Sequence, residues 1–230
     1  ILFNWRVLAE PFEVGGKQRL FQFATAGGVT VISPELAAEL GCKPWSVLTG
    51  YHMTGTKISS PRCDNIRMIW GGQRLTAPVV AVTTVGSAES PIDGLLALDV
   101  FAGKTITIDF ARGELVVETP QSAADRTRSA VELPAHIARG IGGLALSVFV
   151  EVPTARGPLR MELDSGNGGT LLVSRPLLQS LGLQGDGDKP IRGTIQLAPG
   201  VAASGLIFAP DLLIDGNLGM PFLKDWVVTI

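Results

Sequence analysis

Leu159-Arg160-Met161-Glu162-Leu163-Asp164-Ser165-Gly166-Asn167-Gly168 has a counterpart 140 residues upstream, Arg19-Leu20-Phe21-Gln22-Phe23-Ala24-Thr25-Ala26-Gly27-Gly28. Both stretches alternate apolar and polar residues, the period-2 mark of a strand buried on one face. Each then turns through glycine into an apolar strand, Thr30-Val31-Ile32 in one and Thr170-Leu171-Leu172-Val173 in the other. A short helix is expected next in both, over Ser33–Gly41 and Ser174–Gly182. Its serine suits the N-cap, its proline the first turn and its glycine the close.

A second block repeats further on. Ile92-Asp93-Gly94-Leu95-Leu96-Ala97-Leu98-Asp99-Val100-Phe101 matches Ile214-Asp215-Gly216-Asn217-Leu218-Gly219-Met220-Pro221-Phe222-Leu223, at an offset of 122 residues. Each leads into a strand, Thr105–Ile108 or Val227–Ile230. Two matched blocks in the same order identify an internal duplication. The offset falls from 140 to 122, so the first copy carries 18 extra residues, assigned to a longer hairpin around Tyr51–Gln73. The alternation breaks near Gln121–Gly143, where Ser, Ala, Asp, Arg and Gly take over. The division expected is therefore a first copy at 1–120, a linker at 121–143 and a second copy at 144–230. Turn signals stand at Gly15-Gly16, Gly71-Gly72 and Arg156-Gly157. The architecture reads as mainly β with one or two short helices per copy.

Composition narrows the chemistry. Of 230 residues 46% are hydrophobic and 17% charged, enough apolar material for a substantial core. Net charge is −2 with basic residues scattered singly, which argues against a nucleic-acid surface. No apolar run approaches the ~20 residues that span a bilayer. No signal peptide is visible, and the sequence opens at Ile1 in a strand-like stretch without an initiator Met, so it reads as processed or trimmed. Two His and two Cys cannot assemble a metal cluster of the usual kind. Cys42 and Cys63 are either two buried thiols or a disulfide, and spacing does not choose between them. His52 and His136 lie near no Ser or Cys in a nucleophile motif and read as ordinary surface or core histidines.

Leu163-Asp164-Ser165-Gly166 after an alternating strand resembles the active-site loop of pepsin- and retropepsin-like aspartic peptidases, which reads hydrophobic-Asp-Thr/Ser-Gly. The second block resembles the hydrophobic-Gly segment that packs beside that loop. The resemblance covers both copies and nearly the whole chain. It implies an all-β, bilobed acid-protease fold of two pseudo-two-fold-related β-barrel lobes, each with a short helix, fused in one chain as in bacterial members. It also implies a catalytic pair at positions 24 and 164. Two carboxylates held ~3 Å apart share one proton. The charged one draws a proton from a water between them and the protonated one polarises the scissile carbonyl, with no cofactor.

Carried over residue by residue, the first motif departs from the pattern. It reads Phe23-Ala24-Thr25-Ala26 and keeps only the Thr. Asp164 is then the one catalytic carboxyl, ionised at neutral pH and without a partner to donate a proton, and no useful peptidase activity is expected. A single-site or engineered loss fits the intact remainder of the first copy, whereas a natural pseudo-peptidase fits the loss of the motif glycine at Ala26. Asp93 and Asp215 read as turn openers before buried runs, not as catalytic groups.

The resemblance further implies a flap, the extra hairpin around Thr49–Ile58, closing over an extended peptide that gains strand-like hydrogen bonds. Tyr51, His52, Met53 and Thr54 at its tip, with Thr25, Gly27, Ser165 and Gly166 in the two loops, are the expected substrate-binding positions. Tyr51 reads equally as an ordinary hairpin residue. The shorter equivalent in the second copy is expected near Ile191–Ser204. The function expected is an aspartic endopeptidase acting on a polypeptide, inactive in this form, with a non-catalytic peptide-binding module as the alternative. A monomer exported to the periplasm or secreted is what the family resemblance suggests.

Overall fold

The computed structural model describes residues 2–3, 6–87, 90–185 and 187–230, so that Ile1 falls outside it. The described chain is mostly β with a few short helices. It divides into two compact units, one made of Ile1–His52, Thr56–Ala102 and Ala138–Ser147, the other of Met53–Gly55, Gly103–Ile137 and Val148–Ile230.

The first unit is built on an eight-stranded sheet in the order Leu2–Phe3, Arg6–Val14, Lys17–Phe23, Gly94–Leu96, Thr30–Ile32, Gln73–Val82, Lys57–Trp70, Ser46–Tyr51. Arg6–Val14 also pairs with Lys57–Trp70, Phe12 opposite Trp70, which closes six of these strands into a barrel. The core follows from the closure. Phe12 stacks on Trp70 with ring centroids 5.6 Å apart, and Trp70 meets Phe101 edge-on at 6.1 Å. The extra residues of the first copy form the hairpin Ser46–Tyr51 with Lys57–Trp70, at the edge of the sheet. Cys42, just past helix Pro34–Glu39, is disulfide-bonded to Cys63 in Lys57–Trp70, which decides the alternative the spacing left open.

The second sheet has seven strands in the order Ala135–Gly140, Ala145–Val152, Leu159–Leu163, Gly216–Leu218, Leu171–Val173, Val201–Phe208, Ile191–Ala198. Among the described residues no pairing closes this sheet on itself. Its outer hairpin, Ile191–Ala198 with Val201–Phe208, corresponds to Lys57–Trp70 with Gln73–Val82, because Val201–Phe208 pairs in parallel with Leu171–Val173 as Gln73–Val82 does with Thr30–Ile32. The segment near 191–204, expected as the shorter equivalent of the hairpin that begins with Ser46–Tyr51, is therefore not its counterpart.

Three further expectations need correction. Residues 121–143, expected as a linker, carry secondary structure of their own. They complete helix Pro120–Thr127 and contain strand Ala135–Gly140, and the helix starts at a capping box between Thr119 and Ser122. Residues 103–120 group with the second unit, not with the first copy, because Ile106–Asp109 pairs with Val227–Thr229. Third, Gln22 and Glu162 do not face solvent as their place in the alternation suggested. Both are buried, because both faces of these strands are covered: Phe21, Gln22 and Phe23 are all buried, as are Met161, Glu162 and Leu163.

Candidate functional site

The two loops that carry positions 24 and 164 are built by one scheme. In each copy the strand before the loop pairs in parallel with the second-block strand: Phe21 with Gly94 and Phe23 with Leu96, Met161 with Gly216 and Leu163 with Leu218. The same short strand pairs antiparallel on its other side, Gly94 with Ile32 and Gly216 with Val173. Each second-block strand is thus threaded between the two strands that flank its loop. Only glycine fits at the start of the threaded strand. A Cβ at Gly216 would lie 2.6 Å from the Leu172 carbonyl oxygen, and one at Gly94 would collide with the Val31 carbonyl and the Phe21 ring.

Main-chain hydrogen bonds repeat position by position. The Ala24 N–H donates to Leu96 O and the Asp164 N–H to Leu218 O, both at 3.0 Å. Gly27 N donates to Ala24 O and Asn167 N to Asp164 O, both at 3.2 Å. Asp93 and Asp215 bracket the two loops alike. Their Oδ2 atoms accept from Leu20 N and Arg160 N at 2.8 Å, and their carbonyls accept from Ser33 N and Ser174 N, also at 2.8 Å. The residue at 24 therefore occupies in its copy the hydrogen-bonded position that Asp164 occupies in the other.

The side chains around the two positions differ. In the first copy the buried Asp99 carboxylate organises the far end of the loop. Its Oδ1 accepts from Thr30 Oγ1 at 2.7 Å and its Oδ2 from Thr30 N at 3.1 Å, while Thr30 Oγ1 accepts from Ala97 N at 3.2 Å. Burial pushes the Asp99 carboxyl up to about 6, against the opposing pull of the Thr30 hydrogen bonds. The second copy has Pro221 at the equivalent position and uses amides instead. Asn167 Oδ1 accepts from Thr170 Oγ1 at 3.2 Å and its Nδ2 donates to Asn217 Oδ1 at 2.8 Å. Asn217 Nδ2 donates to Asp164 Oδ2 at 2.9 Å, and Gly166 N to Asp164 Oδ1 at 2.8 Å. Both oxygens of Asp164 are thereby held by N–H donors, with the residue 8% exposed.

The predicted contact residues fall into two groups. Thr25 and Ser165 are buried, at 1% and 0% exposure. Gly27 lies against Leu95 and Ala97, where a Cβ would approach Leu95 Cδ2 to 2.7 Å, and Gly166 contributes its N–H to Asp164. Tyr51 lies at the end of its strand opposite Lys57 and is 62% exposed. The His52 N–H donates to Thr56 O at 2.9 Å to close the hairpin turn, which runs through Met53 and Thr54, and Gly55 takes φ +88°.

Sequence reasoning missed Asp99, Asn167 as an organising residue, and Asn217. A signal for each existed in the aligned blocks: Asp99 is a charge inside an apolar run, and Asn217 and Asn167 stand where the first copy has Leu95 and Gly27. Among the described residues no group of His, Cys, Asp and Glu is disposed to hold a metal ion, and no helix is long and apolar enough to cross a membrane.

No family model matches the chain. No curated protein sequence matches it either. Among solved structures it is similar to basic 7S globulin from soybean, at 8% sequence identity and a TM-score of 0.48, over 97% of this chain and 91% of the globulin. A likeness of that size carries no functional weight.

Proposed function

We propose that this chain is a fused, two-lobed aspartic peptidase of the pepsin/retropepsin type with one half of its catalytic pair silenced. Asp164 is the surviving catalytic carboxyl and Ala24 stands where its partner belongs. The observation that carries the reading is the repeated main-chain scheme, in which Ala24 and Asp164 make the same hydrogen bonds to Leu96 and Leu218. Water activation of this kind needs one charged and one protonated carboxyl on a shared site. With alanine at 24 the second is missing, so this form does not hydrolyse peptide bonds.

The alternative is a module that binds an extended peptide without cutting it. It is favoured by the backbone of the first loop: neither Ala26 nor Gly166 takes positive φ, so the Cβ at 26 needs no strained backbone. In either reading the ligand is an extended polypeptide and the chain acts as a monomer. The Cys42–Cys63 disulfide supports an oxidising compartment, periplasmic or extracellular.

Cleavage of a denatured protein by the parent, by Ala24→Asp and by Ala24→Asp with Asp164→Asn tests the proposal, from about pH 3 to about pH 8. Activity is expected only in the single variant, with a pH profile that belongs to the pair jointly. Equal cleavage with and without a carboxyl at position 24 would refute the mechanism. An inert but folded Ala24→Asp chain that still binds unfolded polypeptide favours the binding module.

A further inference from the structure

Asn217 is fully buried in the threaded strand Gly216–Leu218, where an unpaired amide is costly. It is paired on both sides, and the pairing has a direction. Asn167 Oδ1 accepts from Thr170 N at 3.3 Å and from Thr170 Oγ1 at 3.2 Å, while its Nδ2 donates one N–H to Thr170 O at 3.1 Å and the other to Asn217 Oδ1 at 2.8 Å. Asn217 Nδ2 must then face Asp164 Oδ2. Turning the Asn217 amide over would set oxygen against carboxylate and NH2 against NH2, losing both bonds. The donor aimed at Asp164 is thus dictated by main-chain groups through two amides. The first copy has no such relay, since Leu95 and Gly27 fill the two equivalent positions.

We propose that Asn217, oriented by Asn167, is a positioning residue that fixes the Asp164 carboxylate and reserves its Oδ2 as an acceptor. An oxygen that receives an N–H from Asn217 has no room for a proton on that side. The consequence for catalysis rests on the peptidase reading. The positioning of Asp164 by Asn217 does not.

Two measurements separate these parts. The first follows the Asp164 carboxyl-carbon resonance and the Asn217 side-chain amide by NMR at neutral pH, in the parent, Asn217→Leu, Asn167→Gly and Asp164→Ala. The Asp164 signal is expected to move in both asparagine variants, and the Asn217 amide in Asp164→Ala. An Asp164 signal unmoved in every folded asparagine variant would overturn the assignment. Asn167→Gly copies Gly27 and carries the test should Asn217→Leu not fold. The second introduces the same variants into Ala24→Asp, where kcat is expected to fall by about 100-fold with KM little changed, as for a misplaced catalytic group. A change in KM or melting temperature alone would mean a merely structural role. If Ala24→Asp is inert while the resonances move as expected, the peptidase reading fails and the positioning stands.

Discussion

Position 24 and position 164 differ by one carboxyl group, yet they differ just as much in what surrounds them. Asp164 has two N–H donors on its oxygens, whereas Ala24 lies in a loop whose Gly27 sits against Leu95 and Ala97 and which is anchored by a different carboxylate, Asp99. Asp99 is where pH should register. Its carboxyl is raised to about 6 by burial, while in the unfolded chain it titrates near its ordinary value of 3.8. Between those values the folded state holds the proton that the unfolded state has released, so stability falls as pH rises through this window and levels off above it. The full effect is on the order of 3 kcal/mol, at about 1.4 kcal/mol per pH unit. Asp99→Asn should flatten that slope while leaving a hydrogen-bond acceptor for Thr30. Urea denaturation of parent and variant from about pH 4 to about pH 7 checks it.

At the scale of elements, the same sequence pattern does not always give the same element. Ser33 caps helix Pro34–Glu39 by accepting from Leu36 N at 3.1 Å, but Ser174 makes no such bond, and its segment Arg175–Leu181 winds as a 3-10 helix. The hairpin expected over Thr49–Ile58 is present, its strands paired from Ser46 with Arg62 to Tyr51 with Lys57. Its turn depends on Gly55 at φ +88°, where no atom crowds the Cβ position. Gly55→Val should therefore act through backbone strain alone, at about 1–2 kcal/mol for a left-handed residue. Faster amide exchange confined to the hairpin, with the barrel unchanged, is the expected result. The disulfide acts at longer range, closing a loop between residues 21 apart in sequence that joins the end of a helix to the middle of a barrel strand. Replacing both cysteines with alanine should cost about 3 kcal/mol, the loop-closure value for this length. Denaturation of parent and variant under non-reducing conditions measures it.

Across the whole molecule, the duplication returns in a form that self-comparison of the sequence had half revealed. Thr107 and Thr229 are repeat equivalents, 122 residues apart, and they are direct partners in the antiparallel ladder Ile106–Asp109 with Val227–Thr229. Their hydroxyls are hydrogen-bonded at 2.9 Å, and Ile106 and Ile230 exchange two main-chain bonds at 2.9 Å. A residue paired with its own counterpart lies on a local two-fold axis, so this small sheet is symmetric within itself. The strand Glu114–Val117 completes it on one side only. Deleting residues 227–230 removes this ladder, whose hydrogen bonds contribute about 1 kcal/mol each net. A drop of several kcal/mol in urea unfolding is expected, with enhanced amide exchange in 105–117 ahead of the barrel.

The duplication, the β character, the paired loops and the difference between Ala24 and Asp164 are all local in sequence, carried by alternation and by repeated short motifs, and they could be read without coordinates. Glycine at 94 and 216 was legible as a repeated residue, but its reason is tertiary: the threaded strand passes too close to Val31, Phe21 and Leu172 for any side chain. The closing of the first barrel through Phe12 and Trp70, the disulfide partner of Cys42, and the grouping of residues 103–120 with the C-terminal strand are pairings between segments far apart in the chain. So is the reach of Asn217 to Asp164, 53 residues away. Periodicity tells a residue which face of its own strand it lies on. Which distant group meets it there is decided only when the strands are assembled, and that assembly set Asn217 against Asp164 and Leu95 against Gly27.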